Sequence, residues 1–304
     1  MQIGIQTGGI EEAYGIDGAY RLIKECGFDA VDANVDHLLP GASIMQRRPS
    51  PAFSAATDRE CLEYFRPWKE AAQKHGLVNY QAHAPFPSYV FDEQGEQNAF
   101  MLSVLKRTIM GCDYMDCRRL IIHPFFLGYN QKMDPDKEWQ INLESYSALI
   151  PAAKKYGVVI CLENMFTYYR GKILEACCAD IDTACRYIDT LNEIAGQKCF
   201  GFCLDTGHML LLGKDIKTAM VKLGGRIEAF HVHDNNGISD QHLAPYMGVQ
   251  DWDRFVEGLK AIRFDQTMSF EVYNIWNTVD KELCPSLVRF VAQAGRMFAS
   301  RAQG

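Results

Sequence analysis

Short apolar, β-branched runs alternate along the chain with longer stretches in which apolar residues recur every three to four positions. The runs are MQIGIQTG, FDAVDANV, NYQAHAPF, RLIIHPFF, VVICLENM, FGFCLDTG, IEAFHVHD and TMSFEVYN. Each reads as a buried strand. The amphipathic stretches cover residues 17–25, 59–75, 98–113, 138–155, 181–194, 215–223, 252–262 and 281–299, and read as helices. A parallel strand pair needs a crossover connection, so eight such units in succession predict an α/β fold: a single (β/α)8 TIM-barrel domain over residues 1–304. An open doubly wound sheet fits less well, because TGGIEEAYG after the first run lacks the GxGxxG spacing of a phosphate-binding turn.

The runs end in charge. Glu163 closes VVICLE, Asp205 and His208 follow in LDTGH, His231 lies in FHVHD, and Glu271 lies in FEVY. His83 in AHAPF and His123 in IHPFF end earlier runs, and Asp240 and His242 lie on the loop after the seventh. A buried carboxylate without a partner is costly, so repeated endings of this kind need one explanation. A barrel supplies it, since the C-terminal ends of its strands build the active site. Taken alone, a histidine such as His83 or His123 reads as a hydrogen-bonded structural residue. Glu163, Asp205, His231 and Glu271 come from consecutive strands, and three carboxylates with one imidazole suit a divalent ion such as Mn²⁺, Co²⁺, Mg²⁺ or Zn²⁺. The lack of sulfur in this set disfavours a structural zinc site.

Composition narrows the partners. At 48% hydrophobic residues the chain has ample material for a core, and a formal charge of −7 argues against a general nucleic-acid-binding surface. The 11 cysteines show no CxxC spacing, and Cys161 and Cys203 sit inside apolar runs. They read as reduced core residues, the adjacent Cys177 and Cys178 included, which suits a cytoplasmic protein. No 18-residue apolar segment or leader pattern is seen, so neither a membrane nor export is expected. The polar tract LLPGASIMQRRPSPAFSAATDRE, with Arg47 and Arg48, reads as a solvated loop.

In order along the chain, LENMF, CLDTGH, FHVHDNNG with DQHLAPYMGVQDW, and SFEVYN resemble the xylose-isomerase-like TIM barrel superfamily. The resemblance is to its sugar phosphate isomerase/epimerase branch, which is D-tagatose 3-epimerase-like, and covers nearly the whole chain. It implies a single divalent ion, Mn²⁺ foremost, on Glu163, Asp205, His231 and Glu271. His231 is chosen over His233 because the family's histidine precedes an acidic residue by three positions, as His231 precedes Asp234; His233 is then expected to point away. The implied activity is isomerisation or epimerisation of a small sugar or keto-sugar by proton transfer through a cis-enediolate. Glu163 and Glu271 move the proton and His208 contacts the substrate oxygens. Substrate contacts are assigned to His83, His123, Asp240, His242, Arg170 and Trp252, and an apolar lining to Phe86, Phe125, Phe126, Phe166 and Trp252.

Gly237 stands where those epimerases commonly carry an arginine, and no phosphate anchor is evident beyond Arg170 and Lys132, so an unphosphorylated sugar is expected. The superfamily also includes abasic-site endonucleases with nine zinc ligands, and His83, His123, Glu163, Asp205, His208, His231, Asp240, His242 and Glu271 match them all. The acidic chain and the scarcity of basic residues near the strand ends weigh against that activity. Other readings are the catalytic subunit of a C-glycoside deglycosidase, which would need a second, different subunit, and a non-enzymatic sugar-binding module. Otherwise a homo-oligomer is expected.

Overall fold

The structure, a computed structural model, describes residues 1–90, 95–125, 134–277 and 279–304. Phe126 and Lys132 lie outside the described residues. Among the described residues ten strands are present: β1 Gln2–Gln6, β2 Ala30–Asn34, β3 Val78–His83, β4 Arg119–Ile121, β5 Val159–Glu163, β6 Phe166–Tyr169, β7 Lys172–Glu175, β8 Phe200–Asp205, β9 Ile227–His231 and β10 Thr267–Phe270. Eight of them make one sheet in the order β10-β1-β2-β3-β4-β5-β8-β9. They are parallel, as in the pairing of β1 with β2 and β10 and of β4 with β3 and β5. The two ends of the sheet meet at Val232, which bridges to Phe270, donates to Ser269 O at 2.9 Å and accepts from Glu271 N at 3.1 Å. Order and closure are those of a (β/α)8 barrel.

The strands are buried on both faces, which is why they read as continuous apolar runs rather than alternating ones. Ile3, Ile5, Val31, Ala33, Leu120, Ile121, Ile160, Leu162, Phe202, Leu204, Phe230 and Phe270 are all fully buried. Gly4 allows β1 its close neighbours, since a Cβ there would lie 3.3 Å from Thr267 Cγ2 and 3.4 Å from Ala30 O. The residues fall into two compact sets. One comprises Met1–Ala33, Trp68–Tyr80 and Cys203–Gly304, and the other Asn34–Pro67 and Gln81–Phe202.

Helices form where the pattern places them, with side-chain caps from Asp134, Asp180, Asp215 and Asp251. Two expected helices are each broken in two. Residues 59–75 become Asp58–Glu63 and Arg66–His75, and 138–155 become Pro135–Ser147 and Ile150–Tyr156. Pro67 and Pro151 lie at the starts of the second pieces, where a missing N–H costs nothing.

Three other features depart from the sequence reading. The first helix begins at Ile10 rather than 17, with Gly15 at φ 68° breaking its course. A hairpin, β6 with β7, stands after β5 and turns through Arg170 and Gly171, both at positive φ. The tract after β2 is no solvated loop: Leu39, Ile44, Ala52 and Phe53 are buried, and Arg107 Nη1 donates to Phe53 O and Ala55 O. All the cysteines are free, and all but Cys185 are buried, as the core reading expects. No helix among the described residues is long and apolar enough to cross a membrane.

Candidate functional site

In the first compact set, polar groups gather at the C-terminal ends of β8, β9 and β10. Asp205 ends β8 and also caps the helix Thr206–Leu211, its Oδ1 accepting from His208 N at 2.7 Å. That cap explains the D-x-x-H spacing, because it fixes His208 one turn into the helix. The other carboxylate oxygen, Oδ2, faces His233 Nε2 at 3.0 Å. His231 ends β9 with its Nε2 3.2 Å from Asp32 Oδ2 and its Nδ1 3.4 Å from Glu271 Oε2 and 4.0 Å from Asp205 Oδ2. Glu271 directly follows β10, and its Oε1 accepts from Gln6 Nε2 at 2.7 Å. Asp32, Asp205 and His231 are fully buried, and Glu271 and Gln6 nearly so.

Beside these lies a second group, His208, His233, Asp240 and His242, whose ligand atoms all fall within 4.8 Å of one another. His242 Nε2 is 2.9 Å from Asp240 Oδ2, and its Nδ1 donates to Glu271 O at 3.1 Å. Burial by itself would raise the Asp240 carboxyl, but the imidazoles of His208 and His242 beside it hold it well below the usual carboxylate range. Burial likewise opposes charge on His242, yet Glu271 and Asp240 raise its pKa well above the ordinary imidazole value. Asp240 Oδ1 is buried without a hydrogen-bond partner.

His233 is a correction to the sequence reading. It does not point away: its ring stacks on His242 with centroids 4.0 Å apart, and it contacts Asp205. His231 and His233 share a strand face, as alternation requires. Room for the second ring comes from Gly207, where any Cβ would overlap it. Thr206 Oγ1 donates to His233 O at 2.8 Å and accepts from His233 N at 3.0 Å, tying its backbone to the end of β8.

In the second compact set, His83, His123 and Glu163 form a group whose ligand atoms again fall within 4.8 Å. His83 Nδ1 donates to Ala84 O at 2.9 Å, and its Nε2 faces His123 Nε2, 2.9 Å away. His123 Nε2 is also 3.0 Å from Glu163 Oε2. His123 Nδ1 is buried and unpaired, and the Phe86 ring covers the imidazole at 4.6 Å. Nearby Asp36 is raised by its burial, which His83 opposes only in part.

Two assigned residues lie apart from these groups. Arg170 stands at the exposed tip of the β6–β7 hairpin. Trp252 is a packing residue in this structure, its indole N–H donating to Asp234 Oδ2 at 3.2 Å and its ring stacked on Phe298 at 5.1 Å. Sequence reasoning did not single out Asp32 or Gln6, whose polar ends lie inside apolar runs, and it used Asp234 only as a spacing mark for His231. The Asp234 carboxylate accepts from the backbone N–H groups of Asn235, Gly248 and Gln250 and so ties down the loop that carries Asp240 and His242. The HxxD spacing was its visible signal.

The donor set fits a divalent ion: imidazole and carboxylate groups, deeply buried, with their ligand atoms gathered together. Residues 20–287 match the xylose isomerase-like TIM barrel family, and the chain belongs to it. Among curated proteins it is 27% identical over 221 residues to the uncharacterized protein MJ1311 of Methanocaldococcus jannaschii, covering 70% of this chain and 71% of that one. It is 25% identical over 206 residues to a probable endonuclease 4 of Moorella thermoacetica, covering 64% and 69%. Among solved structures, 3-keto-D-glucoside 4-epimerase YcjR of E. coli superimposes with a TM-score of 0.73 at 17% identity, covering 98% of this chain and 99% of that one. The IolI protein with a binding zinc atom gives 0.65 at 18%, covering 99% and 98%. These likenesses show the fold.

Proposed function

We propose that this chain is a divalent-metal-dependent isomerase or epimerase of a small, unphosphorylated sugar or keto-sugar, with Glu163, Asp205, His231 and Glu271 as metal ligands and Mn²⁺ as the ion. One observation carries the reading: His231 turns Nδ1 toward carboxylate oxygens of both Glu271 and Asp205, while its other nitrogen is held by Asp32. Such an arrangement of buried acceptors is stable around a cation and costly without one. Glu163 ends β5, the neighbour of β8 in the sheet, and is assigned as the fourth ligand from that position and from the family resemblance.

A bound divalent ion supplies Lewis-acid polarisation of a sugar carbonyl and acidifies the adjacent C–H. Glu163, whose Oε2 lies 3.0 Å from His123 Nε2, removes that proton to give an enediolate. Glu271, steadied by Gln6, delivers a proton taken from solvent to the opposite face, giving an epimer, or to the neighbouring carbon, giving an isomer. His208 donates to the substrate oxygen. The half-buried Phe86 ring covers the His123 imidazole, with centroids 4.6 Å apart.

The test is deuterium uptake from D₂O into a panel of ketoses and keto-sugars, followed by NMR, with metal-loaded and chelated protein. Uptake at one carbon that requires metal supports the reading, and its complete absence across the panel overturns it. A second reading, hydrolysis of a phosphodiester at an abasic site, is favoured by one observation. The ligand atoms of His83, His123 and Glu163, and of His208, Asp240 and His242, gather within 4.8 Å in each group, and the family resemblance assigns these residues to the endonucleases' further ligands. Cleavage of abasic duplex with no sugar exchange would select it.

A further inference from the structure

We infer that Asp32 is a positioning residue that fixes the tautomer of His231, so that Nδ1 and not Nε2 is the nitrogen offered to a metal. The inference rests on the proposed metal reading but concerns a residue outside its ligand set. A carboxylate only accepts, so the fully buried Asp32 Oδ2, 3.2 Å from His231 Nε2, requires the proton to sit on Nε2. The lone pair of the neutral ring then lies on Nδ1, the nitrogen facing Glu271 and Asp205. Asp32 is anchored in turn, since β2 pairs with β1 through Gln6 opposite Asp32 and Thr7 N donates to Asp32 O at 3.0 Å. Gln6 also holds Glu271, so adjacent residues on neighbouring strands orient two of the ligands.

A carboxylate behind a ligating imidazole raises its basicity and fixes its ring, and removing such a partner typically costs about 10–100-fold in metal affinity. Competition with a chelating dye would measure Zn²⁺ affinity for the wild-type chain, Asp32→Asn and Asp32→Ala, with thermal melting of the metal-free proteins as a control for folding. Both variants are expected to bind about 10–100-fold more weakly. Isotope-edited NMR of His231 in wild-type protein needs no variant to fold, and is expected to find the proton on Nε2 with zinc on Nδ1. Folded variants that keep wild-type affinity, or a wild-type His231 with a bare Nε2, would overturn the inference. If the wild-type chain binds no ion at all, the proposed function fails, and an Nε2 without a proton on metal-free His231 would overturn the role of Asp32 as well.

Discussion

His233 Nε2 lies 3.0 Å from Asp205 Oδ2 while the same ring stacks on His242, so one side chain touches both polar groupings of the first compact set. The backbone is built around it, because Gly207 leaves space that only a missing Cβ provides. Gly207→Ala should therefore push the imidazole out of its slot. Overpacking of this kind costs about 1–3 kcal/mol, to be read from urea unfolding. A cost near zero would mean that the ring has another place to go.

His208 is fixed by the Asp205 cap through its backbone, and its side chain is directed at Asp240, with Nε2 3.6 Å from Oδ2. His208→Asn preserves the cap, since the bond uses the main-chain N–H. Turnover should drop by roughly a hundredfold or more, the range for a lost acid–base or electrophilic group, while metal content measured by atomic emission stays near wild type. Equal loss of both would make His208 a ligand instead.

Chelation should lower stability as well as activity. Asp205, His231 and Glu271 are buried together, and an ion bound only by the folded chain stabilises it by about 2.7 kcal/mol at a free concentration one hundred times its Kd. Calorimetry with EDTA against added Mn²⁺ should show a melting temperature that climbs with metal concentration. A melting temperature indifferent to both would count against any tight site.

Much of this was legible because barrel strands carry two signals at once, an apolar run and a polar stop. Glu163, Asp205 and His231 end their strands, and Glu271 directly follows its own. What failed depends on contacts that no local pattern encodes. Whether His233 points in or out depends on Gly207, far from it in sequence, and Asp32 gains its meaning only from His231 opposite. The β6–β7 hairpin escaped notice because its turn is Arg-Gly rather than the usual Asn-Gly. The two split helices show the reverse: Pro67 and Pro151 were visible, but a continuous apolar period across them outweighed the break.

Glu11 gives the fold a pH dependence separate from the metal ligands. Burial pushes its carboxyl up to about 7 from an ordinary 4.5, and hydrogen bonds from Thr7 and from Trp68 Nε1, at 2.9 Å, offset that only in part. With the folded value raised, the folded chain holds the proton over a range in which the unfolded chain has lost it. Its contribution to stability is therefore complete below about 4.5 and lost as pH rises through about 7. The whole effect is roughly 3 kcal/mol. Glu11→Gln keeps an acceptor for Trp68 and cannot ionise, so its stability relative to wild type should rise across that window and level off above it. Glu138 is raised to about 7 by burial as well, so the quantity to follow is the difference between the two proteins at each pH. Parallel stability curves for wild type and Glu11→Gln would show that the Glu11 carboxyl titrates alike in the folded and unfolded chains.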